Sequence, residues 1–268
     1  SEMSRVAITA GLDAVVEFDS VTMRIPRRRR RKGAGRRQRL RRIAGEVRRE
    51  ELEVLSNVSF SIQPGESVAI IGPKGPGRQA LLRLAAGTLR PDQGQVRRGR
   101  RIVPMIEVAR ALQRFYTVRQ NIFIVGGLLG MAHEHIDEAL PGIAEQAGVT
   151  KMLGRYMNAA PPTARQKLAW SIAMSVDADA YAIDQTLVVG EKGFRQQCWT
   201  HVDDLRENGA TFLLSSDSPK QFQRFCDRAL YIADGRIEAD TTVPEALAAM
   251  RAARKEARDA DGAGEGTP

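Results

Sequence analysis

An apolar run, a glycine-rich turn and an apolar helix pattern follow one another without a break in this chain, and few folds accommodate that order. Residues 67–71 (Ser-Val-Ala-Ile-Ile) predict a buried strand, and residues 80–86 (Ala-Leu-Leu-Arg-Leu-Ala-Ala) predict a helix. Between them lies Gly72-Pro73-Lys74-Gly75-Pro76-Gly77-Arg78-Gln79. This is the layout of a phosphate-binding loop, G-x-x-x-x-G-K-[ST]. In such a loop backbone N–H groups curl around phosphate oxygens, the lysine neutralises them and the hydroxyl ligates Mg²⁺. The contents depart from that pattern at three points. Arg78 replaces the lysine with a wider planar fork. Gln79 offers an amide where magnesium wants a small hydroxyl, and Pro76 deletes one N–H and pushes Gly75 toward extended geometry. A glycine-rich turn that holds no ligand is the competing reading.

The remainder of the chain predicts an α/β protein. Its 268 residues are 43% hydrophobic, enough for a full core, and strand and helix patterns alternate. Further strands are expected at 101–106, 180–184, 211–215 and 229–232, with an apolar stretch at 122–131 and a helix over 136–147. No run approaches 18 consecutive apolar residues, so no membrane span is predicted. Residues 1–5 carry no signal-peptide pattern, and Ser1-Glu2 ahead of Met3 reads as an expression remnant. Cys198 and Cys226 lie far apart without metal spacing and read as buried thiols. His133, His135 and His201 fall on helix surfaces, which argues against a metal site.

Charge is concentrated in one place. Residues 27–49 carry 13 Lys or Arg against the single acid Glu46, a net +12 in a chain whose total is +9, so everything else sums to −3. The run includes Arg27, Arg28, Arg29, Arg30, Arg31, Lys32, Arg36, Arg37, Arg39, Arg41 and Arg42. It sits between expected strands at 15–19 with 21–25 on one side and at 53–62 on the other. Leu40, Ile43, Val47 and Leu52 recur among the arginines at helical spacing, which suits a short basic amphipathic helix. Anionic lipid is the favoured partner, each basic residue near such a surface contributing about 1 kcal/mol. An acidic partner is the second reading and a solvated insertion the bland one. Without interleaved aromatics or a recognition motif, nucleic acid is disfavoured.

Ordered landmarks carry a resemblance across three quarters of the chain. They are Pro64-Gly65-Glu66, the loop at 72–79, Asp92-Gln93-Gly94, Arg119-Gln120-Asn121-Ile122, a strand ending in Asp184-Gln185, Cys226-Asp227-Arg228 and Asp234-Gly235-Arg236. Together they resemble the ATP-binding subunits of ABC exporters for capsular and related polysaccharides. Residues 186–194, leading into Cys198, are similar to that branch in particular. The resemblance implies one ABC-type P-loop nucleotide-binding domain over 1–250, with an antiparallel β-subdomain, a parallel-sheet core and a helical subdomain at 108–164, then a flexible tail at 251–268. It implies a cytoplasmic protein, or one peripheral on the cytoplasmic face of the inner membrane. The implied partners are an ABC permease and an intact ABC ATPase sibling or a second copy of the chain.

Carried over position by position, the resemblance implies loss of chemistry. Gly72, Gly75, Gly77, Arg78, Gln79 and Asp184 occupy the nucleotide-binding positions, and Asp184 matches the aspartate that holds Mg²⁺ through water. The water-polarising glutamate of the family is Gln185 here, and an amide cannot act as general base. Asp217 stands at the switch histidine and would repel a γ-phosphate. The signature motif falls on Pro161, Pro162, Thr163 and Ala164, which keep neither its serine nor its glycine. Glu107 lies near the Q-loop position. The expectation is a pseudo-ATPase that holds ATP weakly and Mg²⁺ poorly, serving as scaffold or regulator. The alternative is a weakly active ATPase energising such an exporter.

Overall fold

The computed structural model describes residues 8–27, 51–184 and 191–264, with side chains to residue 256. In chain order the elements are β1 (Val16–Pro26), β2 (Glu51–Ile62), β3 (Ser67–Ile71), α1 (Pro76–Ala85), β4 (Gln93–Arg98), β5 (Ile102–Met105), α2 (Val118–Leu128) and α3 (His133–Gln146). They continue with α4 (Pro162–Met174), β6 (Ala180–Asp184), α5 (Lys192–Glu207), β7 (Thr211–Ser215), α6 (Pro219–Phe225), β8 (Arg228–Ala233), β9 (Arg236–Thr242) and α7 (Val243–Gly264). α7 carries helix through the Ala-, Lys- and Arg-rich stretch to Gly264.

Two sheets share the work. A three-stranded antiparallel sheet runs β2-β1-β4, and a six-stranded sheet runs β5-β6-β7-β3-β8-β9. In the larger sheet every neighbouring pair is parallel except β8 with β9. Side chains alternate across it with the two-residue period of a strand, so each strand feeds two cores. Val68, Ile70, Ala180, Ala182, Leu213, Leu230 and Ile232 join α1 and the antiparallel sheet on one face. Ala69, Ile71, Tyr181, Ile183, Phe212, Leu214 and Tyr231 join the helices on the other.

The strand expected as two pieces at 15–19 and 21–25 is one bulged strand, β1. Ser20 takes a left-handed φ of 52°, and its N–H donates to Ser59 Oγ at 2.8 Å. The irregularity therefore turns the chain without ending the ladder. Beyond it β1 and β2 pair as far as Pro26 opposite Glu51. The basic run thus bridges the open end of a hairpin, with residues 28–50 outside the described residues.

The helical lobe is built on local rules. Thr117 Oγ1 accepts from the Gln120 N–H at 3.1 Å, and Gln120 Oε1 accepts from the Thr117 N–H at 2.8 Å, a reciprocal capping box that starts α2. One position later, Asn121 is fully buried. Its amide donates to the carbonyls of Gln113, Tyr116 and Thr117, and its Oδ1 accepts from the Gln113 N–H at 2.6 Å. This side chain pins the incoming loop to the helix. Asn121→Leu, which keeps the volume and strands those backbone groups, is expected to destabilise the protein by on the order of 3 kcal/mol in urea unfolding.

Candidate functional site

The site forms where β3, β6 and β7 end on the same edge of the larger sheet. Residues 72–75 bend away from β3, and α1 starts at Pro76, four residues before the position expected from apolar periodicity. The physical reason is Pro76 itself, whose fixed φ suits the first helical position and whose missing N–H costs nothing there. Gly75 precedes it with φ 175° and ψ 177°, fully extended. Gly77, Arg78 and Gln79 therefore lie in the first turn of α1.

The three loop glycines have different reasons to be glycine. A Cβ on Gly72 would stand 2.4 Å from the Ile232 carbonyl oxygen, and one on Gly77 would stand 2.9 Å from that of Val54. Around Gly75 nothing lies within 4 Å of such a Cβ. Gly72 and Gly77 are thus demanded by the close approach of β8 and β2, whatever the loop binds.

Arg78 is 6% exposed and points into the protein. Its Nη1 donates to the Ser216 carbonyl at 2.9 Å, and its Nη2 donates to Asp217 Oδ1 at 2.9 Å. The other carboxylate oxygen, Oδ2, lies 2.7 Å from Lys74 Nζ. Asp217 therefore grips both cations of the loop from the turn after β7. That turn is itself fixed. The Ser216 hydroxyl donates to Gln221 Oε1, and the Ser218 N–H donates to Ser216 Oγ at 3.1 Å. The hydrogen bond from Lys74, and behind it that from Arg78, holds the Asp217 carboxyl below its usual 3.8, with partial burial opposing. It is consequently anionic at neutral pH.

A second contact closes the other side. Gln79 Nε2 donates to Asp184 Oδ2 at 2.8 Å. An ionised carboxylate only accepts, so the amide nitrogen is the atom that must face it. Asp184 is 6% exposed at the end of β6. Lys74, Gly75, Arg78, Gln79, Asp184 and Asp217 line a cavity of about 320 Å³. Two cationic and two anionic side chains meet there, so the lining is charge-balanced without a ligand.

The structure thus brings Gly75, Arg78, Gln79, Asp184 and Asp217 together and turns Gly72 and Gly77 toward packing. The Arg78 guanidinium is taken up by Ser216 and Asp217. The Gln79 amide presents its nitrogen, not its oxygen, to Asp184. Lys74 lies within the quoted loop yet was assigned no role; its signal was a second cation four residues before Arg78. Gln185 lies outside the described residues, as do Arg28 to Lys32, Arg36, Arg37, Arg39, Arg41 and Arg42. Arg27 is exposed at the end of β1.

At the position the resemblance assigns to the signature motif, Pro161 is the N-cap of α4 and Pro162 opens it. Residues 161–163 are exposed and Ala164 is half-buried. Two prolines remove N–H groups from a helix N-terminus that could otherwise face an anion. Glu107 adopts φ 53° and pairs with Arg83 at 3.1 Å and Arg110 at 2.8 Å. Cys198 and Cys226 are free, buried thiols, both pushed up to about 12 by burial.

This architecture, with a glycine loop, helix and antiparallel sheet against a mostly parallel sheet, is that of an ATP-binding cassette. The family model described as ABC transporter matches residues 55–188, half of the chain, and the protein belongs to that family. Its relatives include the ABC transporter protein AbcA of Aeromonas salmonicida, 30% identical over 69% of this chain and 60% of its own length. The teichoic acids export ATP-binding protein TagH of Bacillus cereus is 30% identical over 75% of this chain and 37% of its own length. The O-antigen export system ATP-binding protein RfbB of Klebsiella pneumoniae is 28% identical over 68% and 74%. The match thus spans less than two thirds of the length of each of the first two relatives. Among solved structures, a dimeric ATP-binding cassette in a post-hydrolysis state bound to ADP and Pi superposes with a TM-score of 0.64 at 18% identity, over 85% of this chain and 98% of that one. An ATP-binding subunit of an ABC transporter gives 0.66 at 18%, over 86% and 91%. These likenesses show the fold.

The glycine geometry makes a prediction independent of any ligand. Gly72→Ala forces a shift of backbone against backbone and should cost on the order of 2 kcal/mol, whereas Gly75→Ala should stay within about 0.5 kcal/mol. Chemical unfolding of the two variants checks the contrast, and equal losses would contradict it.

Proposed function

We propose that this chain is a non-catalytic ATP-binding-cassette subunit of a polysaccharide-export system, acting as scaffold or regulator. The observation that carries the reading is the charge balance of the loop. In a working phosphate-binding loop the lysine and N–H groups wait for an anion and the hydroxyl waits for a metal. Here Asp217 holds both loop cations, and Gln79 occupies an oxygen of the one carboxylate that would face magnesium. Magnesium demands near-octahedral oxygen ligation and dehydrates reluctantly. An amide N–H donor beside a single carboxylate does not fit it. ATP remains the ligand class the fold supports, held weakly, and Mg²⁺ is poorly matched to these residues.

Two further observations support the assignment to export. Curated relatives carry the names of teichoic acid and O-antigen export ATP-binding proteins. The helical lobe exposes large apolar side chains, with Phe115 81% and Tyr156 60% accessible, near a groove lined by Tyr116, Arg119, Gln120, Phe123 and Ile124. A chain that spent no surface on a partner would rarely leave such aromatics in water. A permease loop or helix is the occupant consistent with the resemblance. The proline-opened N-terminus of α4 is poorly suited to capping a partner's nucleotide, so pairing with an intact sibling would leave each shared site damaged. A second copy of this chain would fare no better.

The basic run at 27–49 completes the proposal as an arm for anionic lipid on the membrane face beside the permease. Among the described residues no helix is long and apolar enough to cross a membrane. Attachment would then rest on the permease and on this charge, with an acidic protein or polysaccharide as the competing partner.

Steady-state ATP hydrolysis by the purified chain with Mg²⁺ is expected at buffer background. Turnover that an Arg78→Ala variant abolishes would instead establish the weakly active ATPase. Binding to vesicles containing phosphatidylglycerol is expected to fall as salt rises, because screening shortens the reach of each charge. Removal of residues 27–49 should abolish it, and persistence of salt-sensitive binding after that deletion would overturn the lipid reading.

A further inference from the structure

We propose that Asp217 is an internal anion that occupies Lys74 and Arg78 in place of a phosphate, and so keeps polyphosphates off the loop. The inference rests on reading the site as non-catalytic and adds the reason its affinity would be low. The carboxylate spans the two cations, with one oxygen 2.9 Å from Arg78 Nη2 and the other 2.7 Å from Lys74 Nζ. The same guanidinium also donates to the Ser216 carbonyl, so Arg78 is held at two points of one turn.

Two features make this a fixed device. The turn is braced by Ser216 with Gln221 and by the Ser218 N–H on Ser216 Oγ, between the buried strand β7 and α6. Arg78 is almost wholly buried and is held through both Nη atoms, so the guanidinium has little freedom to swing out toward solvent. Lys74, by contrast, has 76% of its side chain exposed, yet it folds back onto Asp217. An incoming polyphosphate must therefore displace a carboxylate already in place and meet its negative charge while doing so. Asp184 adds a second negative charge to the same cavity wall, where its partner is the neutral amide of Gln79, so the two loop cations already face two carboxylates.

The test is isothermal titration of the full-length chain with sodium pyrophosphate, and separately with ATP, in the presence and absence of Mg²⁺. Wild type, Asp217→Asn and Lys74→Ala are compared, with thermal melts to confirm folding. Neutralising Asp217 is expected to raise the pyrophosphate association constant about tenfold or more, since it removes a like charge and frees two cations. Lys74→Ala should bring no gain, because it removes a cation while Asp217 still satisfies Arg78. If Asp217→Asn does not fold, Asp217→Ser, which removes the charge but retains an acceptor, is judged by the same criterion. Equal or weaker binding by a folded Asp217 variant would overturn the proposal. Hydrolysis recorded on the same samples separates the two readings. Wild-type turnover would defeat the non-catalytic reading, whereas tight pyrophosphate binding by wild type without turnover would defeat only the internal anion.

Discussion

The contact of Arg78 with Asp217 organises everything distinctive about this site. It joins residues 139 positions apart in sequence, linking the first turn of α1 to the turn after β7. An arginine buried to this degree requires an anion and hydrogen-bond acceptors, because desolvating an unpaired guanidinium is prohibitive. Asp217 and the Ser216 carbonyl supply both. With Asp184 on the same cavity wall, the two cations of the loop face two carboxylates, and this balance is what the proposed function rests on. Arg78 and Asp217 are thus two halves of one arrangement.

The scaffold that permits this contact is an ordinary consequence of strand periodicity. β3, β6 and β7 are buried along their whole length and lie side by side in parallel, so their carboxyl ends emerge together. That edge is where ligands meet open α/β sheets. The same edge here collects the loop at 72–79, Asp184 and Asp217. The side chains at these three strand ends decide what that edge can hold, while the fold beneath them is set by the buried strands.

How much could be read from the sequence depends on what each element buries. β3, β6 and β7 were expected with the bounds observed, because uninterrupted apolar runs bounded by glycine or polar residues leave little ambiguity. β4 and β9 were not expected at all. β4 (Gln93–Arg98) has Val96 as its single apolar side chain beyond glycine, and in β9 (Arg236–Thr242) the inward positions are only half-buried, so neither shows a strong hydrophobic signature. The start of α1 was missed because glycines and a proline weaken helix periodicity, although proline at the first helical position is a start signal in its own right. At the site, the identities of Arg78, Gln79, Asp184 and Asp217 were legible, since each sits at a fixed place in a known order. Their pairings were not. No local pattern announces that Lys74 and Arg78 share one carboxylate, because the partner arrives through tertiary structure.

The central claim is that Arg78 and Asp217 are each other's ligand, and a double-mutant cycle measures that directly. Urea unfolding of wild type, Arg78→Met, Asp217→Asn and the double variant at neutral pH yields their coupling free energy. A favourable coupling on the order of 1–3 kcal/mol is expected for a contact with one buried partner. Additive losses, with coupling indistinguishable from zero, would mean that the two side chains do not hold each other, and the account of a self-neutralised loop would fail.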